Sequence, residues 1–243
     1  MQKAKKLYLQ KHGFGLFSPK AVLFDMDGVI YDSMPKHATA WHKAMAQFGL
    51  DMPYDGAYRY EGMRGVETIK LLARQQWKRE LSDEEAERMY RVKSELFAQG
   101  PQPRKMRCII TLMRQIKNNG LKICIVTGSG QHKLLDTLTT EFEGLIQPER
   151  IVTGYDVTRG KPEPDPYLIG LKKCGVMPWE AIVVENAPLG IQAAVAARCF
   201  TIAVNTGPLA DKVLRDAGAD LVLPSLTNLN KKWQDIMVSC SHM

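Results

Sequence analysis

Two aspartates one residue apart close a short apolar run in Lys20-Ala21-Val22-Leu23-Phe24-Asp25-Met26-Asp27-Gly28. A run of this length, rich in branched and aromatic residues, predicts a buried strand of a parallel sheet. Acids at the carboxyl end of such a strand lie where open α/β sheets bind their ligands. Side chains alternate along an extended chain, so Asp25 and Asp27 are expected on the same side. Two carboxylates placed in this way suit a divalent cation and a carboxylate nucleophile. Taken alone, the stretch is also compatible with a plain acidic turn.

Three further polar clusters follow apolar runs. Lys122–Val126 leads into Thr127-Gly128-Ser129-Gly130, where hydroxyls, main-chain N–H groups and a helix N-terminus would make a phosphate cradle. A simple helix-capping turn is the other reading. In Gly160-Lys161-Pro162-Glu163-Pro164-Asp165-Pro166 the prolines stiffen the loop that carries Lys161. A lysine fixed there can neutralise a phosphoryl group, although most lysines simply face solvent. Ala181–Val184 runs into Glu185 and Asn186, which offer the oxygen ligands that Mg²⁺ prefers; Asn186 could equally cap the next helix. Four such clusters, each at the end of a predicted strand, should converge on one site.

The elements that must position them alternate. After Ser33, apolar residues at helical spacing (Ala38, Trp41, Ala44, Met45, Phe48) predict a helix over 35–48 stopped by Gly49. A loop over 51–65 and a helix over 66–78 follow. Ser82 and Glu85 form a capping box opening a third helix to Phe97, and Gly100-Pro101-Gln102-Pro103 ends it. Beyond this strandless insertion, strands are predicted at 122–126, 151–152, 181–184, 200–204 and 221–223, with helices at 108–118, 131–141, 165–174, 189–197 and 210–217. That order predicts an α/β protein with a doubly wound parallel sheet and a helical bundle inserted after the first strand. The division expected is a core of residues 1–32 and 106–243 and a cap of 33–105. The N-terminal MQKAKKLYLQKHGFG is expected as a solvated leader, and the tail after Trp233 as a short, frayed helix.

The totals limit partners. Of 243 residues, 45% are hydrophobic and 24% charged, an ordinary globular composition. No apolar run is long enough to span a bilayer and no secretory signal is seen, so no membrane partner is expected. Five scattered cysteines suit a reducing cytoplasm. The net charge of +7 permits nucleic-acid binding, but the basic residues are dispersed rather than clustered with aromatics, so an anionic small molecule is the partner expected. A monomer is expected.

FDMDGVIYDS, IVTGS, GKPEPDPY and VVENAPLGIQAA together resemble the four motifs of the haloacid dehalogenase superfamily, and the helical insertion resembles its first type of cap. His37, Trp41 and Lys93 resemble features of the β-phosphoglucomutase-like branch. The resemblance spans about residues 20 to 225 and implies a Rossmann-like core. It implies Asp25 as a nucleophile forming an aspartyl phosphate, Asp27 as general acid and base, and Thr127 and Lys161 as holders of the transferring phosphoryl group. It further implies Mg²⁺ held by the Asp25 carboxylate, the Asp27 main-chain carbonyl and Asn186, with Glu185 nearby. His37, Glu61, Arg64, Lys93, Gly128 and Ser129 complete the substrate-binding candidates.

The chain departs from that branch in the cap loop. Gly65 stands where the resembled sugar-phosphate mutases carry a phosphate-binding arginine, with Arg64 one residue early, and Glu61 stands where they are basic. A carboxylate facing the substrate disfavours a second sugar-bound phosphate unless it pairs with a cation. Asn186 also replaces an aspartate. The expectation is therefore a phosphohydrolase acting on a small anionic phosphate, inorganic pyrophosphate above others. A β-phosphoglucomutase is the runner-up and a non-catalytic phosphate-binding module the third reading.

Overall fold

Among the described residues, six short apolar strands form one parallel sheet: β1 (Ala21–Phe24), β2 (Lys122–Val126), β3 (Ile151–Val152), β4 (Ala181–Glu185), β5 (Phe200–Val204) and β6 (Leu221–Leu223). A computed structural model of the protein describes residues 1–128 and 132–241, the side chains of 132–136 and 241 excepted. The strand order is β3-β2-β1-β4-β5-β6. β1 is central, pairing Phe24 with Ile125 on one side and Val184 on the other. From β1 the chain winds outward first through β2 and β3, then through β4, β5 and β6. The carboxyl end of β1 is thus the point where the winding reverses, and a crevice must open there.

Alternation along the strands splits the core in two. Val22, Phe24, Ile123, Ile125, Ile182 and Val184 face one layer, which also holds Tyr8, Leu112 and Trp233. Ala21, Leu23, Cys124, Val126 and Val183 face the other, packed with Tyr167, Leu171 and Ala193. Both faces are covered, which is why the strands read as unbroken apolar runs.

The helices are α1 (Gln2–His12), α2 (Met34–Gln47), α3 (Gly56–Arg59), α4 (Gly65–Gln76), α5 (Asp83–Ala98), α6 (Ile109–Asn118), α7 (His132–Glu141), α8 (Asp165–Cys174), α9 (Pro188–Ala196), α10 (Asp211–Asp216) and α11 (Leu226–Ser241). α2 to α5 form the insertion, with their own core of residues such as Met45, Leu50, Ile69, Leu72 and Met89. The capping box at α5 is present: Ser82 Oγ accepts from Glu85 N at 3.2 Å and Glu85 Oε2 from Ser82 N at 3.0 Å. Where the insertion leaves and rejoins the sheet domain, the chain runs beside itself, Asp32 N–H bonding the Arg104 carbonyl at 2.8 Å and Met106 N–H that of Ile30 at 2.8 Å.

Both ends of the chain differ from expectation. The leader is helix α1, closed by Gly13 in the left-handed region with Phe14 N–H bonding the Leu9 carbonyl. Its basic face hides one anchor: Tyr8 is fully buried, stacks edge-on against Phe17 and Phe200, and donates to the Arg198 carbonyl at 2.9 Å. One large aromatic in the whole helix is too sparse to give an apolar stripe, yet enough to dock it when a ring pocket waits. The tail is likewise sixteen residues of helix, with Trp233 buried and its Nε1 donating to Asn119 Oδ1 at 2.8 Å. No helix among the described residues is long and apolar enough to cross a membrane.

Candidate active site

β1 ends at Phe24 and the next residues coil tightly. Asp25 N–H still bonds the Val184 carbonyl at 3.0 Å, whereas Ile30 and Tyr31 N–H both turn back to Met26 O. The turn needs Gly28, whose φ is +80° and whose missing Cβ would lie 2.2 Å from Asn186 Nδ2. The coil presents Asp25 and Asp27 to one small cavity and gives them different neighbours.

Asp25 belongs to a buried ionic cluster. Lys161, fully buried, donates from Nζ to Asp25 Oδ1 at 2.5 Å, to Glu185 Oε1 at 2.6 Å and to the Val126 carbonyl at 3.2 Å. Burial lowers the lysine's affinity for its proton, but the two carboxylates outweigh that and hold it above the ordinary range. Burial pushes Asp25 up to about 8, against the pull of Lys161, with Glu185 and Asp27 adding to the rise. Glu185 was expected near the metal, but its oxygens are taken. Oε1 accepts from Lys161 and, at 2.9 Å, from Tyr167 Oη; Oε2 accepts the N–H groups of Asn186 and Ala187 at 2.9 and 3.0 Å. Such a carboxylate orients Lys161 and the turn after β4. It has little left to offer a cation.

Asp27 belongs to a relay from the cap. Its Oδ1 accepts from Ser33 Oγ at 2.6 Å and faces His37 Nε2 at 3.1 Å, while Lys93 Nζ lies 2.7 Å from His37 Nδ1. Asp27 is held as a carboxylate and can only accept, so Nε2 carries the proton that it gives to Asp27 and Nδ1 accepts from Lys93. Burial raises Asp27, but His37 and Ser33 outweigh it and hold the carboxyl below its usual range. Lys93 is 2% exposed and boxed by Trp41, Tyr90 and Phe97, with ring centres 5.1, 5.7 and 5.1 Å from Nζ. Burial brings it down to about 7.

The cap adds Glu61, whose oxygens accept from Asn186 Nδ2 at 3.0 and 3.1 Å. Burial and the nearby Asp25 raise its carboxyl well above the usual range. Asn186 therefore reaches across to the cap, and the N-cap of α9 is Ala187. Asp25 Oδ2 and Asn186 Oδ1 are buried oxygens without a hydrogen-bond partner. Buried polar atoms are seldom left so, and two oxygens of this kind fit a hard divalent cation. Among the described residues, no three His, Cys, Asp or Glu side chains have metal-holding geometry; a cation here would draw on an amide and a main-chain carbonyl as well as a carboxylate.

The cavity between these groups is about 50 Å³, lined by Asp25, Asp27, His37, Glu61, Lys93, Thr127 and Gly128 among others. Thr127 is 2% exposed, its N–H bonding the Val152 carbonyl at 2.9 Å. Ser129 lies outside the described residues. Arg64, expected at the substrate, is not in the lining; its Nη1 donates to the Thr158 carbonyl at 2.9 Å. One residue off the pattern is enough to turn a side chain at a helix start away from the pocket. Tyr90 does line the cavity, its ring filling the space beside Gly65, whose Cβ would fall 2.0 Å from Tyr90 Cε2. Ser33 and Tyr167 lay within the quoted motifs without a role; Tyr90 sat unremarked on a helix.

Two buried carboxylates at the carboxyl end of the central parallel strand, facing an inserted helical bundle, define the class: a doubly wound α/β fold with a helical insertion after its first strand. The chain belongs to the haloacid dehalogenase-like hydrolase family, whose model matches residues 22–204. Hexitol phosphatase A of Escherichia coli is 31% identical over 212 residues, covering 86% of this chain and 93% of the relative. The β-phosphoglucomutase of Bacillus subtilis is 27% identical, covering 90% and 97%. A solved structure from Bacteroides vulgatus, provisionally named a β-phosphoglucomutase, superposes with a TM-score of 0.96 at 45% identity, covering 99% of this chain and 98% of its own.

Proposed function

We propose that the chain is a Mg²⁺-dependent phosphohydrolase that works through an aspartyl phosphate and takes inorganic pyrophosphate as substrate. Residues 33–105 would be the cap and 1–32 with 106–243 the catalytic core. The observation that carries the substrate is the cavity of about 50 Å³. It leaves space for a phosphoryl group beside Asp25, and Tyr90 and Glu61 crowd it on the side of the insertion, one filling the room beside Gly65 and the other closing on Asn186, which favours a compact leaving group.

A carboxylate oxygen of Asp25 attacks phosphorus, forming the aspartyl–phosphate bond as the bridging P–O bond breaks. Asp27 gives the departing oxygen a proton that it draws from His37 Nε2–H as Lys93 Nζ protonates His37 Nδ1. Water then attacks the same phosphorus, Asp27 takes the water's proton, and the second phosphate leaves with Asp25 restored. Lys161, held by Glu185, and Thr127 steady the transferring group; the reaction asks more for positioning and charge than for nucleophile strength. The His37–Lys93 relay holds Asp27 in the orientation for both transfers. Mg²⁺, held by Asp25, Asn186 and the Asp27 carbonyl, would supply positive charge against the substrate's own.

The test is phosphate release over a panel of pyrophosphate, hexose phosphates and nucleotides. Pyrophosphate should be turned over best, and Tyr90→Ala should shift preference towards hexose phosphates by about 10-fold or more. The similarity to β-phosphoglucomutases keeps a second reading. Efficient conversion of β-glucose 1-phosphate to glucose 6-phosphate with a bisphosphate primer would establish it and reject the hydrolase.

A further inference from the structure

We propose that Arg64 is a latch: a positioning residue that holds the cap loop carrying Glu61 against the core loop carrying Lys161. The proposal rests on the phosphohydrolase reading for its kinetic consequences. The two loops meet along a seam with no room for a methyl group. A Cβ on Gly128 would lie 2.5 Å from the Gly62 carbonyl oxygen, one on Gly62 3.0 Å from Lys161 Cδ, and one on Gly160 2.7 Å from Arg64 Cγ. Across this seam Arg64 Nη1 donates to the Thr158 carbonyl at 2.9 Å, while Glu67, one turn along α4, lies 3.8 Å from the same nitrogen and steadies the guanidinium. Arg64 is three residues after Glu61, and Thr158 three before Lys161. One charge-assisted bond therefore ties the loop of the cap's acid to the loop of the core's lysine. Because Arg64 does not line the cavity, its effect on substrate must pass through the closed placement of the loop.

A bond of this kind is worth about 1 kcal/mol, or roughly fivefold in the closed population. A ligand that needs the closed state then binds more weakly by the same factor. Arg64→Ala should raise KM for pyrophosphate about fivefold and leave kcat nearly unchanged, with Arg64→Lys recovering part of the loss. Thr158→Ala should match the wild type, since the acceptor is main chain. Gly160→Ala should impair the wild type but not an Arg64→Ala background, where the crowded Cγ is gone. Hydrogen exchange of amides 60–65 with Mg²⁺ and inorganic phosphate present should be faster in Arg64→Ala. Wild-type KM together with wild-type exchange in that variant would overturn the latch. The exchange arm needs no turnover, so a protein that hydrolyses nothing in the panel would reject the phosphohydrolase reading while the latch is still decided.

Discussion

Lys93→Met should make the protein more stable and less active, and the stability gain should depend on pH in a stated direction. The wild-type amine is buried, with His37 as its hydrogen-bond partner and three rings around it. Its drop from 10.5 to about 7 corresponds to about 4.8 kcal/mol as an upper bound. Loss of the cation–π contacts returns about 2 kcal/mol and the stranded His37 Nδ1 about 1 kcal/mol more, leaving a net gain of about 1–2 kcal/mol, in line with apolar replacement of buried charges. For a chain of this size that is a rise of about 3–6 °C in Tm. Below pH 7 both folded and unfolded chains carry the proton and the burial penalty is complete. Between pH 7 and 10.5 only the unfolded chain carries it, so the penalty fades as pH rises. The gain from Lys93→Met is therefore largest below pH 7 and vanishes near pH 10.5. Activity should move the other way, falling about 100-fold as His37 loses the donor that fixes its tautomer. Thermal unfolding of both proteins from pH 6 to 10, with phosphate release at pH 7, checks all of this. A destabilised variant with unchanged activity would refute the reasoning, as would a gain that grows with pH.

Three other outcomes are expected. Asp25→Asn should lower turnover by about 10⁴-fold or more with Tm at least that of the wild type; measurable turnover near wild type would remove Asp25 as nucleophile. Chelation of divalent cations should stop phosphate release and added Mg²⁺ should restore it, whereas turnover persisting in excess chelator would reject the cation's part. Asp220, pushed by burial up to about 6 although it accepts from Thr201 N–H at 2.8 Å, favours folding when protonated. That contribution is complete below pH 3.8 and is lost as pH rises through 6, so Asp220→Asn should raise Tm at pH 7.5 by about 4–8 °C, for about 2 kcal/mol, and by much less at pH 4. Equal shifts at both pH values, read by thermal unfolding, would contradict it.

How much of this was legible varies by residue. The strands were, because burial on both faces leaves unbroken apolar runs that no other arrangement requires. β2, β3, β5 and β6 match their predicted bounds, as does α8. α1 and the length of α11 were not, because each is held by a few buried anchors, such as Tyr8 and Trp233, rather than by a periodic stripe. Asp25, Asp27, Thr127 and Lys161 were foreseen as a group, since each follows a strand and strand ends share one edge of the sheet. Glu185 was foreseen by position, but only the folded structure reveals the Lys161, Tyr167 and main-chain donors that gather on its oxygens.

The sequence by itself determined the chemistry on offer, because strand periodicity and turn residues put acids, hydroxyls and a lysine at one edge of a parallel sheet. It also showed that the cap loop departs from the sugar-phosphate mutase pattern, through Glu61 and Gly65. Only the tertiary structure decided what those differences mean. Arg64, Tyr90 and Glu61 are neighbours in chain or helix terms of many polar residues, and nothing local says which one enters the cavity. Long-range packing does: the Tyr90 ring takes the space over Gly65, Glu61 lands on Asn186, and Arg64 is carried outward to Thr158. Contacts between residues so far apart in sequence are set by how two folded units meet, which a one-dimensional pattern does not encode.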